Sequence, residues 1–144
     1  MPDLIPLKPL TTWEELRTTA ADWDALGADA LCDMLSLMHL VRAFEEAVLE
    51  LDGQGLVHGP AHSSVGQEGG AAGSLSLARS SDLVTGSHRG HHQFLAKAIT
   101  HVSGGALNLD TLVDADMQAM LQRTLAEILG LAPVSYTHLT LPTK

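Results

Sequence analysis

The sequence predicts an α/β domain that is mostly helical in this chain, with one or two short strands. Three observations lead there. Apolar residues between Ala30 and Leu51 recur at steps of three and four, the spacing of one helical face. The run Asp82-Leu83-Val84-Thr85, closed by Gly86, has the length and punctuation of a short buried strand. Only 3% of residues are aromatic against 45% hydrophobic. The core must therefore rest on Leu, Ala, Val and Met, which pack closely as helices.

Residues 1–30 read as an arm. Three prolines within the first nine residues prevent a helix there. Thr12 then offers an N-cap with Glu15 as its capping-box partner, so a short helix is predicted from Trp13 to about Ala21. Trp13 and Trp23 are expected to dock this arm on the body, since exposed indoles without a partner surface are uncommon. The long helix follows, its stripe made by Met34, Leu37, Met38, Val41, Phe44, Val48 and Leu51, with Gly53 and Gly55 ending it. From Ser64 to about Ala78 a glycine-bearing helix is predicted. Gly66, Gly69, Gly70 and Gly73 would share one face, at a cost of roughly 1 kcal/mol each against alanine, which calls for close approach of another backbone or a ligand. Phe94, Leu95, Ala98 and Ile99 mark a short helix that Gly104 and Gly105 break. Asp110 or Asp114 can cap a last helix, with Val113, Met117, Met120, Leu121, Leu125 and Ile128 on its apolar face and Gly130 as its stop.

The 144 residues suffice for one domain with a core. Eight Lys and Arg against seventeen Asp and Glu give a formal net charge of -9. Nucleic-acid binding, which needs clustered cations, is not expected. Cys32 is the one cysteine and has no internal partner; its apolar surroundings place it in the core as a small hydrophobe. No run of about 18 apolar residues crosses a membrane, and the start lacks a signal-peptide core, so the expected setting is cytoplasmic.

Histidine is the unusual component. Of eight copies, His58, His62, His88, His91 and His92 fall in two glycine-rich stretches, the second also holding Arg89. A guanidinium, imidazole N–H groups and free amides at a helix start together suit a phosphate group. That pattern alone is generic.

Three ordered motifs make it more specific. Arg42-Ala43-Phe44-Glu45-Glu46 lies in the long helix, Gly59-Pro60-Ala61-His62 leads to Gly66-Gln67-Glu68, and His88-Arg89-Gly90-His91 follows the strand candidate. In this order they resemble the alpha-type decarboxylating component of thiamine-diphosphate-dependent 2-oxo acid dehydrogenases of the pyruvate, acetoin and branched-chain type. The resemblance spans about residues 31–132. It implies the amino-terminal portion of a thiamine-diphosphate-binding fold and a fragment inactive alone. Arg89 would bind a diphosphate oxygen with His88 beside it, and His62 would lie near the substrate carboxylate or the reacting carbon. His91 would flank the cofactor, and Gln67 and Glu68 would orient loop backbone and subunit contacts. His62 and His91 are thus the catalytic candidates, His88 and Arg89 the cofactor-binding ones. The implied reaction decarboxylates a 2-oxo acid on thiamine diphosphate and passes the acyl unit to lipoyl. The implied partners are a beta-type subunit or domain and a lipoyl-bearing acyltransferase. His92 stands where the family has glycine.

The family's magnesium motif, Gly-Asp-Gly followed by asparagine, does not occur in this sequence; Asn108 is its only asparagine. Magnesium would belong to the intact protein. The last twelve residues, 133–144, break from the family pattern and resemble a translated junction. The domain organisation expected is an arm over 1–30, a partial dehydrogenase domain over 31–132 and a non-native tail over 133–144. Two other readings compete: a zinc site built from His62, His88, His91 and His92, and a non-catalytic helical interaction module.

Overall fold

The structure, a computed structural model, describes residues 6, 8–105, 107 and 113–131. Five helices are formed among them: α1 (Ala20–Leu26), α2 (Ala28–Gly53), α3 (Glu68–Leu75), α4 (His91–Ser103) and α5 (Ala115–Ile128). The mostly helical character is thus as the composition predicts. The tail beyond Ala132 and the alternative cap Asp110 lie outside the described residues.

α2 is the central element. Its stripe buries Leu37, Val41, Phe44 and Val48, with Met38 packed against them. α4 contributes Leu95, Ala96, Ala98 and Ile99, none of them measurably exposed, and α3 adds Ala71 and Ala72. α5 closes the core with Met117, while Leu121, Leu125 and Ile128 pack from its flank. Asp114 caps α5 by accepting a bond from the Met117 amide at 2.8 Å. Gly104, at φ 69°, ends α4 in the left-handed conformation that glycine takes most readily. Removing a side chain as enclosed as Leu95 would cost about 2–5 kcal/mol.

Several expectations are corrected. The first helix begins at Ala20, not Trp13. Asp22 accepts bonds from both the amide and the hydroxyl of Thr19, at 2.7 and 2.8 Å, so the capping box forms seven residues later than Thr12 and Glu15 suggest. Glu15 instead pairs with Arg17. Residues 13–16 are exposed, so burial does not offset the cost of helix nucleation there; Trp13 is 83% exposed and Trp23 50%, so neither docks the arm. Cys32 is exposed, because it lies about 140° round α2 from Leu37. Residues 82–85 form no strand, and Leu83 is 87% exposed. A strand needs a ladder partner, and no strand occurs among the described residues. The glycine helix is shorter than predicted. Gly66 precedes it, a Cβ at Gly69 would lie at ordinary contact distance, 3.7 Å, from the Met38 methyl, and Gly70 and Gly73 face open space. The buried side of α3 is made by Ala71 and Ala72 instead, so no close approach at the glycines is present.

One ion pair fixes α3 against α2. The Glu68 side chain is 5% exposed and accepts from Arg42 Nε at 2.6 Å and Nη2 at 3.0 Å. The Gly66 amide also donates to it, at 2.9 Å and 3.0 Å. Chiefly through the Arg42 guanidinium, and despite its burial, the Glu68 carboxyl is held at about 2, below its ordinary 4.5. Its contribution to stability is therefore complete above pH 4.5 and fades as the pH falls toward about 2. Arg42→Ala is expected to lower the unfolding free energy by about 2 kcal/mol at neutral pH, because it strips two bonds from a buried charge. Urea denaturation measures this. Glu68→Gln should flatten the acid limb of the stability profile; an unaltered limb would show that this carboxylate is not the acid-labile link.

Candidate functional site

The two loops that carry the histidines meet above the middle of α2. The first runs from the end of α2 to α3 and holds His62, Ser63 and Ser64. The second leads into α4 and holds Ser87, His88 and Arg89, with His91 the first residue of the helix. Arg89 Nη1 donates to the Ser63 carbonyl at 2.8 Å. The His62 and His88 rings stack edge to face, 4.8 Å between centroids. All four candidate residues thus belong to one junction: His62, His88 and Arg89 are exposed, and His91 is half-buried. His58 lies beside Gly130 at the end of α5, and His92 is buried in the core with Nδ1 unpaired.

Glu45 is the floor of this junction, and sequence reasoning assigned it no role there. It has no exposed surface. Its Oε2 accepts from the Ser64 amide at 2.9 Å and the Ser63 hydroxyl at 3.2 Å. Its Oε1 lies 3.2 Å from His91 Nδ1, although the N–H is not aligned as a hydrogen bond and neither atom has another partner. Burial pulls the Glu45 carboxyl upward, but His91 and the serine loop outweigh it and the net shift is downward. The signal that marks Glu45 was available: it falls four residues after Val41 and three before Val48, inside the arc that α2 buries. A carboxylate in that register must find donors.

The start of α4 adds a further feature. Gly90 makes no side-chain cap, so the first amides of the helix are left for another acceptor at its positive end. Beside it a cavity of about 400 Å³ opens between the 82–90 loop, α4 and the end of α5, with His88 and His91 in its wall. Gly86 lies so close to the Gln93 side chain that a Cβ there would collide with it. Among the described residues, no group of three His, Cys, Asp or Glu side chains is disposed to hold a metal ion. The zinc arrangement of His62, His88, His91 and His92 is thus not among them: His62 and His88 meet ring to ring, and His92 is buried.

The turn that delivers Ser63 and Ser64 to Glu45 depends on Gly66, whose φ of 94° strains any residue with a Cβ. Gly66→Ala is expected to cost about 1–2 kcal/mol, read as a fall in the denaturation midpoint. The space around it is open, so a cost far above this would point to something other than the backbone.

No helix of the described residues is long and apolar enough to cross a membrane. Comparison with protein-family models, with curated proteins and with solved structures finds no match to this chain.

Proposed function

We propose that the junction of the two loops grips the diphosphate of thiamine diphosphate. On this reading the chain is part of the alpha-type decarboxylating component of a cytoplasmic 2-oxo acid dehydrogenase. The observation that supports it is the convergence of His62, His88, Arg89 and the uncapped start of α4, drawn from loops some 26 residues apart in sequence. Arg89 is exposed and spends one N–H on a neutral carbonyl, leaving the rest of its fork for an anion. The free amides of α4 add donors of the right sign.

The donor set fits a diphosphate. It does not include the oxygen cage that magnesium prefers, and that cage is assigned to the rest of the intact protein. When bound, thiamine diphosphate supplies the electron sink for decarboxylation. The work of this chain is to hold the phosphates with Arg89, to orient them with His88, and to present His62 and His91 to the 2-oxo acid. The beta-type partner and the lipoyl-bearing acyltransferase belong to the same proposal, as does the inactivity of the chain by itself.

Titration of the chain with pyrophosphate, and separately with thiamine diphosphate and magnesium, followed by amide shifts in NMR spectra, tests the reading. Binding is expected to be weak and to move the amides of 88–93. Arg89→Ala should weaken it about tenfold or more, the worth of a charge-assisted bond. Arg123→Ala, on the exposed side of α5, should not. Equal affinity in the Arg89 variant and the wild type would count against the assignment.

A further inference from the structure

The geometry points to Glu45 as a positioning residue for His91. Its carboxylate fixes the imidazole in the Nδ1–H tautomer and leaves Nε2 as the one nitrogen that exchanges a proton, an acceptor for a hydroxyl or amino group in the neighbouring cavity. The inference goes beyond the thiamine diphosphate reading and stands without it, because the tautomer is a property of the unliganded chain.

Two buried atoms set the tautomer. Glu45 Oε1 and His91 Nδ1 are each shielded from solvent, each lacks a hydrogen-bond partner, and they lie 3.2 Å apart. The other carboxylate oxygen is already engaged by Ser63 and Ser64. A carboxylate accepts only, whereas a neutral imidazole nitrogen is either donor or acceptor. With an acceptor at Nδ1, two lone pairs would face each other in a site that excludes water, at a cost of a buried unsatisfied group on each side. With a proton at Nδ1, a small rotation of the ring aligns the bond and satisfies both. Burial favours the neutral carboxyl, but the contacts of Glu45 prevail and keep it ionised. The requirement for Nδ1–H therefore holds whether the imidazole is neutral or charged, and any proton gained or lost is at Nε2.

The surroundings give that nitrogen a use. His91 lines the cavity of about 400 Å³, a size typical of small-molecule sites. Val84, Phe94 and Ile128 make its walls apolar, and the charged or titratable groups sharing those walls are Asp82, His88, Lys97 and Glu127. Lys97 donates to the Arg79 carbonyl at 2.6 Å. A small molecule with an apolar body and one hydroxyl or amino group is the class that fits.

Long-range ¹H–¹⁵N correlation of histidine-labelled chain, at a pH where imidazoles are neutral, reads the tautomer of each ring. His91→Gln assigns the signal. The wild type is expected to show His91 predominantly as Nδ1–H. Glu45→Ala should return it to the Nε2–H form that free imidazole prefers, and Glu45→Gln, which keeps an acceptor oxygen, should retain part of the Nδ1–H form. A wild-type His91 in the Nε2–H form overturns the inference by itself, even if the alanine variant does not fold. So does a folded alanine variant with an unchanged tautomer. Arg89→Ala should leave the tautomer as in the wild type, which separates this outcome from failure of the diphosphate reading. Benzyl alcohol is the probe for the acceptor role: it should shift His91 Nε2 where toluene does not, and equal responses to the two overturn that role.

Discussion

Two buried carboxylates on one helix face and its neighbour hold this structure together. Glu45 and Glu68 carry charge where little or no solvent reaches them, and an unpaired charge there is costly. Each is satisfied by bringing separate parts of the chain into contact. Glu68 draws Arg42 of α2 and the Gly66 amide to the start of α3. Glu45 draws the Ser63–Ser64 backbone down onto α2 and sets the His91 ring against the same spot. The apolar core would permit α3 and α4 to slide on α2 at modest cost, since small side chains such as Ala71, Ala72 and Ala96 offer few directional contacts. The carboxylates remove that freedom. They fix where both histidine loops must lie.

How far the sequence foretells this depends on the length scale of each signal. α2, α4 and α5 are legible because each repeats an apolar step several times, and the repeats agree with one another. α1 is misplaced because a capping box is a local signal, present twice in the arm, and only the copy at Thr19 leads into a run that folds. The strand at 82–85 fails for a different reason. A strand is defined by its neighbour, and four residues with two apolar side chains say nothing about whether a neighbour exists. The glycine stripe of α3 suggests a surface for close approach; the structure leaves Gly70 and Gly73 open and buries the alanines beside them.

The candidate site is legible only in part, and for the same reason. That His62, His88, Arg89 and His91 belong together follows from motif order and not from any spacing, because Arg89 reaches a carbonyl 26 residues away. Helical geometry does place Glu45 in the buried arc between Val41 and Val48. The motif Arg-Ala-Phe-Glu-Glu thus has a physical meaning independent of any family. Its arginine holds Glu68 at the start of α3 and its first glutamate holds the Ser63–Ser64 turn, while Glu46 stays in solvent near Arg42.

A division of labour among the cations follows. The chain carries a net charge of -9, so an anion is repelled unless a local positive group is left uncompensated. Arg17, Arg42 and Arg79 each face a carboxylate. Arg42 in particular is committed: Glu68 grips it through two nitrogens and raises its affinity for its proton further. Arg89 differs, because its partner is a neutral carbonyl. That bond aims the guanidinium without cancelling its charge, and it does so beside the positive end of α4. Exchanging the partners, with a carboxylate at Ser63 and a carbonyl at Glu68, would leave α3 loose and Arg89 neutralised. The proposed diphosphate grip therefore rests on where the acids are kept as much as on where the base is placed.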